Sequence, residues 1–265
     1  MKTQGQFTLF ETMDEFAQFV AKPVGRQITS VQNHHTAVPS YRDFNGKNHF
    51  ALLAGMRKFH VNERGFSDIA QNLTTFPDGT IAVCRPMGQN PAGIKGANTG
   101  AICIEHVGNF DTGKDSITPA HRDCVIRMNA LLSRRFKLKV DTNAFVYHHW
   151  FDLDTGKRRN GAGNTKTCPG TGFFGGNTVA DCAAHFLPLV SAAVAALAGP
   201  VSIPIAVVKS PDGVLSIRRG PAANTDRLGE LTNGAVVQIH EVKGSWRRID
   251  PVEQKWVSGT FLVPG

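Results

Sequence analysis

A chain of 265 residues, 41% hydrophobic and 19% charged, can bury a sizeable core and has the length of an enzyme domain plus a small accessory domain. Its formal net charge of +8 favours polyanionic partners, but lysines and arginines are scattered among acids, which argues against a nucleic-acid footprint. The odd count of five cysteines, without framework spacing, excludes a disulfide scaffold, and most of them read as small buried apolar residues.

The first six residues lack the apolar stretch and cleavage site of a secretory signal, so the protein is expected to be made in the cytoplasm. Residues 12–20 (TMDEFAQFV) place Phe16, Phe19 and Val20 at helical spacing behind acidic first-turn residues. Residues 28–34 read as a strand ending at the pair His34-His35, and residues 48–59 as a second amphipathic helix. Residues 69–76 and 80–84, joined by Pro77-Asp78-Gly79, read as a hairpin. Residues 100–106 (GAICIEH) predict a central strand, 119–132 a helix, and 144–150 a strand delivering a second pair, His148-His149. Residues 178–198 close this region with a helix; the run 189–198 (LVSAAVAALA) is too short to span a membrane and reads as buried, so no membrane insertion is expected. Strands alternating with helices predict an α/β fold, a mixed central β-sheet flanked by helices. From about residue 205 the texture changes to short alternating strands separated by Gly, Pro, Asn and Asp, predicting a small all-β barrel. The expected domains are 1–199 and 205–265, with a linker at 198–204.

The residues that carry chemistry are the two histidine pairs and the Gly-rich stretch Thr165-Lys166-Thr167-Cys168-Pro169-Gly170. Two neutral imidazoles and one thiolate form a three-ligand zinc site with an open fourth position, the arrangement of catalytic zinc. Neighbouring side chains on a strand face opposite ways, so one histidine of each pair enters the cleft. The strand alternation sets Ala101, Cys103 and Glu105 on one face and Ile102, Ile104 and His106 on the other. A carboxylate at Glu105 suits a general base beside a metal, and Lys166 suits a cation for a developing oxyanion. His106, on the isoleucine face, reads as structural.

His34-His35-Thr36-Ala37, the strand ending Ile104-Glu105-His106-Val107-Gly108-Asn109, and Lys166-Thr167-Cys168-Pro169-Gly170 together resemble the zinc-dependent N-acetylmuramoyl-L-alanine amidases, the group that includes phage lysozyme-type amidases and peptidoglycan recognition proteins. The resemblance covers roughly residues 25–195. It implies a peptidoglycan-recognition-like amidase fold, Zn2+ as cofactor, His34 and Cys168 as ligands, and Lys166 as the catalytic lysine. The family's second histidine lies close before the cysteine, whereas here residues 151–164 intervene, like a hairpin insertion. His148 is taken as that ligand, with His149 the alternative. Many members carry a tyrosine in the hairpin, where this chain has Gln71 or Asn72. Members with a glutamate in the central strand are thought to use it as base, which fits Glu105. Residues 213–221 (GVLSIRRGP), Ser245-Trp246 and Lys255-Trp256-Val257-Ser258 resemble a bacterial SH3-like wall-binding domain.

These resemblances imply a hydrolase acting on bacterial peptidoglycan, an anionic cell-wall polymer, at the amide between N-acetylmuramic acid and L-alanine. A phage or prophage endolysin reaching the wall after release fits this layout, a host autolysin being the alternative. A different enzyme class is a cysteine peptidase with Cys168 as nucleophile and His148 as base. Oligomeric state is left open.

Overall fold

The computed structural model describes residues 1–197, 205–250 and 253–265. The expected linker, 198–204, lies outside them. The chain divides into two compact units, Met1–Ala198 and Gly199–Gly265.

The first unit is built on a seven-stranded sheet of order β1-β2-β5-β4-β6-β3-β7. Its strands are β1 (Lys2–Gln4), β2 (Phe7–Phe10), β3 (Ser30–His35), β4 (Leu73–Thr75), β5 (Ile81–Val83), β6 (Ala101–His106) and β7 (Phe145–Tyr147). The β4, β6, β3 and β7 ladders are parallel, and β1, β2, β5 and β4 pair antiparallel. The sheet is therefore mixed and flanked by helices, as the residue pattern implies. The N-terminal hairpin β1–β2 was not foreseen from residues 1–10, whose polar start hides the buried Phe7, Leu9 and Phe10.

Helix α1 (Met13–Val20) starts at Thr12, whose hydroxyl accepts from the Glu15 amide, and buries Phe16 and Val20. Helix α2 (His49–Asn62) buries Leu53 and Met56. Helix α3 (Pro119–Phe136) has Thr118 as its cap and proline in its first turn. Helix α4 (Val179–Leu197) contains a π-helical turn at Cys182–Phe186. The whole helix, 19 residues with a mean hydropathy of 1.6 over its best 18, has the length and composition to cross a membrane, which the run 189–198 alone does not. Nor is the helix wholly buried: Phe186, Leu187 and Val190 face the core, while Ala183, Ala184, Ala192 and Ala195 are exposed.

In-register partners on β3, β6 and β4 divide the sheet into two faces. Gln32, His34, Cys103, Glu105 and Thr74 share one; Val31, Asn33, Ile102, Ile104, His106 and Thr75 share the other. The second face joins the larger core with residues of α1, α3 and α4. The first carries a smaller core in which Leu53 and Met56 of α2 meet Leu9 and Ala82.

A buried polar chain runs through the larger core. Thr118 N–H donates to the Tyr41 hydroxyl, which donates to His121 Nδ1 at 2.8 Å. His121 Nε2 donates to Thr75 Oγ1, and Thr75 donates to His106 Nδ1, both at 2.7 Å. His106 Nε2 then donates to Asn33 Oδ1 at 3.1 Å. Asn129 pairs reciprocally with Asn33 and fixes its amide by donating to the Val125 carbonyl. Each donor has one acceptor, so both imidazoles are held neutral in a single tautomer.

The second unit holds a five-stranded sheet, β10-β9-β14-β13-β12, and a three-stranded one, β11-β8-β15. Its strands are β8 (Ile205–Val208), β9 (Val214–Arg218), β10 (Arg227–Thr232), β11 (Val236–Gln238), β12 (Glu241–Lys243), β13 (Trp246–Arg248), β14 (Trp256–Ser258) and β15 (Leu262–Pro264). Val208, Leu215 and Val257 form its core, and Trp256 is buried with its indole N–H on Gln254.

Candidate metal centre

Parallel pairing of β3 with β6 sets His34 beside Glu105, and pairing of β3 with β7 sets Tyr147 beside Asn33. The residue after Tyr147 is thus carried to the level of His34. The expected strand over residues 144–150 ends at Tyr147, and the second pair lies instead on a 3-10 turn, His148–Trp150. That turn separates the roles of the pair. His148 points at His34, while His149 donates from Nδ1 to the Lys166 carbonyl at 2.7 Å and from its backbone N–H to the Cys168 carbonyl. His149 is therefore a clamp on the loop that carries Lys166 and Cys168, a role not seen in the sequence.

His35 faces away from the site. Its Nδ1 accepts the Phe110 amide at 3.1 Å, and burial pushes its pKa down to about 4. Residues 151–164 form a hairpin-like excursion closed by an antiparallel bridge between Phe151 and Arg158.

The cysteine loop is fastened at several points. Asp111 accepts from the Thr167 hydroxyl and the Thr171 amide, and Asn177 donates to the Thr167 carbonyl. Gly170, at φ +119°, passes so close to Phe110 that a Cβ there would lie 2.4 Å from its carbonyl carbon. The Cys168–Pro169 bond is cis.

His34, His148 and Cys168 offer ligand atoms within 4.8 Å of one another. The two Nδ1 atoms are 3.2 Å apart. Two nitrogens bound at about 2.0–2.1 Å to one tetrahedral zinc stand roughly 3.3–3.4 Å apart, so the imidazoles are spaced for a shared ion. Burial holds His34 and His148 neutral, the latter at about 3, with Lys166 adding to both effects. Neutral imidazole is the ligating form. Burial also pushes the Cys168 thiol well up, so its thiolate needs a cation beside it. Among the described residues its sulfur has one hydrogen-bond partner, the His35 carbonyl at 4.0 Å, and none on His148. That arrangement suits a metal ligand and lacks the thiol–imidazole bond of a cysteine peptidase.

Glu105 lies with Oε1 at 4.0 Å from His34 Nδ1. Burial lifts its carboxyl to about 8, opposed by the positive charge of Lys166. Lys166 itself is exposed at the mouth of the site, and its charge acts on His34, His148, Glu105 and Cys168 together. Asn72 is occupied by backbone groups of residues 86, 89 and 103. Gln71 is buried against Thr74, its Oε1 without a partner among the described residues.

No curated protein matches the chain significantly. Among solved structures it is similar to the amidase LysC from Clostridium intestinale URNW, at 22% identity over 58% of this chain and 85% of that one, TM-score 0.42. Drosophila PGRP-LB matches at 19% identity over 60% and 81%, TM-score 0.45, and Drosophila PGRP-SA at 20% over 61% and 80%, TM-score 0.46. The N-acetylmuramoyl-L-alanine amidase family model matches residues 24–171, a span holding β3, β6, β7 and the whole cysteine loop. On that match, which takes in more than half of its length, the chain belongs to the N-acetylmuramoyl-L-alanine amidase family.

Proposed function

We propose that the chain is a zinc-dependent peptidoglycan hydrolase that cleaves the amide between N-acetylmuramic acid and L-alanine of the stem peptide. The observation that carries this reading is the convergence of His34, His148 and Cys168, from three distant segments, with their imidazoles spaced as ligands of one ion. The donor set, two neutral nitrogens and one sulfur, is the borderline-soft set that zinc favours. Bound there, zinc supplies Lewis-acid activation of water and of the scissile carbonyl.

The chain's own residues do the rest. Glu105, buried beside His34, takes a proton from the attacking water in its carboxylate form, which the Lys166 charge favours against burial, and returns it to the departing amine nitrogen. Lys166 places a cation at the mouth of the site, where the carbonyl oxygen gains charge. Water thus adds its hydroxyl to the lactyl carbonyl and its proton to the alanine nitrogen. His149, Asp111 and Asn177 hold the loop that sets Lys166 and Cys168 at the correct depth.

Residues 1–199 act as the catalytic domain and 205–265 as an SH3-like wall-binding domain, which raises the local enzyme concentration on an insoluble substrate. Action at the wall after release, as a phage or prophage endolysin, fits this pairing.

The test combines zinc stoichiometry with mass analysis of released wall fragments. Cys168→Ser is expected to lose tight zinc and lysis together, and Glu105→Gln to lose lysis while keeping zinc. Undiminished lysis of the parent chain in a strong chelator refutes the reading, as do fragments cut at any bond other than the muramoyl–alanine amide.

A further inference from the structure

The expected ligands do not exhaust the metal-binding chemistry of this face of the sheet. Cys103, two residues before Glu105 on β6, points to the same side, and its sulfur, a Glu105 oxygen and a His34 nitrogen lie within 4.8 Å of one another. This second donor set shares only His34 with the first.

Unpartnered atoms gather around it. His34 Nε2, Glu105 Oε2 and Gln32 Oε1 are each buried without a hydrogen-bond partner among the described residues. A metal-ligating histidine ordinarily gives its second ring nitrogen to a carboxylate, carbonyl or water. Here Nδ1 faces His148 and Nε2 has no protein partner. Gln32 Oε1 and Cys103 Sγ both crowd the bare Cα of Gly93, where a Cβ would lie 2.3 Å from the oxygen and 2.7 Å from the sulfur. Any side chain at position 93 would fill that space. Glu105 keeps 17% of its side chain exposed, which gives an ion a route in from the cleft.

We propose that a second, thiophilic divalent cation binds between Cys103 Sγ, the Glu105 carboxylate and His34, the Cys103 thiol proton and the second His34 ring proton leaving to solvent as the imidazolate bridges the two ions, and that it inhibits the enzyme by occupying Glu105. The ligands supply sulfur, oxygen and nitrogen, a set suited to zinc in excess or to cadmium and poorly suited to magnesium or calcium. The inference rests on Glu105 acting as the base and on His34 serving the first ion. Cys103 takes no part in hydrolysis, so the two readings can be separated by mutation.

Zinc is titrated into the full-length protein, with bound metal and wall lysis read in parallel. The parent chain is expected to take up a second equivalent as lysis falls. Cys103→Ser and Cys103→Ala are expected to keep the first equivalent and basal lysis, and to need about tenfold more zinc or greater for the same inhibition. Inhibition of both variants at the parent's zinc concentration overturns the proposal, as does saturation of the parent chain at one equivalent. Cadmium gives an independent reading. Cys168→Ser should retain a thiolate-to-cadmium charge-transfer band that Cys168→Ser/Cys103→Ser lacks, and absence of the band from Cys168→Ser also overturns it. Retention of tight zinc and lysis by Cys168→Ser refutes the catalytic site instead, and leaves the cadmium result standing by itself.

Discussion

Acid should unfold this protein through its buried imidazoles, and His121 gives the cleanest measure because it lies on the face of the sheet opposite the proposed metal ligands. Burial pushes its pKa from 6.5 to about 3, with Asp78 opposing weakly. A depressed folded-state pKa means that the unfolded chain binds the proton more tightly. The stabilisation is therefore present above pH 6.5 and is lost as the pH falls from there toward about 3. Each pH unit in that window costs about 1.4 kcal/mol, so about pH 5 costs roughly 2 kcal/mol from this ring alone. Against a net domain stability of about 5–15 kcal/mol that is a large fraction. The physical reason is visible in the hydrogen bonds: a second proton on His121 lands on Nδ1, where the Tyr41 hydroxyl already donates.

The assay compares urea unfolding of the parent chain and His121→Gln at about pH 7 and about pH 5. Gln retains a donor toward Thr75 but does not titrate. The parent should lose roughly 2 kcal/mol more than the variant between the two conditions. Equal losses in both proteins would refute the claim that this imidazole is held neutral by the fold. Any contribution from zinc release is common to both and cancels in the difference.

Three further outcomes are expected. Lys166→Ala should lower wall lysis by about 10²–10³ with zinc content unchanged, the loss typical of one electrostatic donor at a developing oxyanion; full lysis would remove Lys166 from the mechanism. Gly170→Ala forces a side chain into a left-handed position against the Phe110 backbone, so thermal unfolding should report a loss of about 1–3 kcal/mol together with weaker zinc retention. An unchanged Tm would show that the loop does not need that close approach. Tyr41→Phe leaves His121 Nδ1 without its O–H donor and should cost about 1–3 kcal/mol in urea unfolding while lysis persists, whereas loss of lysis at full stability would tie the buried chain to catalysis.

The α/β character of the first unit and the β texture of the second were legible in the residues. Period-two and helical spacings are local properties, and strand alternation alone put Glu105 and Cys103 on one face and His106 on the other. Local pattern also misled. Residues 144–150 read as one strand, but the chain leaves the ladder after Tyr147, and the alternation argument does not apply to a 3-10 turn. The β1–β2 hairpin is not legible in the residues because edge strands with a polar start carry little periodic signal.

What sequence determined by itself was the inventory: two histidine pairs, one Lys-x-Cys loop and one glutamate at a strand end, types whose chemistry is fixed by their atoms. Tertiary structure decided which of each pair turns toward the other. Parallel register brings His148 to His34 at 3.2 Å, sends His35 to the Phe110 amide, and turns His149 into a clamp on the cysteine loop. Coordination and hydrogen bonding depend on distances between segments more than a hundred residues apart, and no local spacing encodes those distances. The same holds for the unpaired atoms around Cys103, a residue that reads as core filler until the fold sets it beside Glu105 and His34.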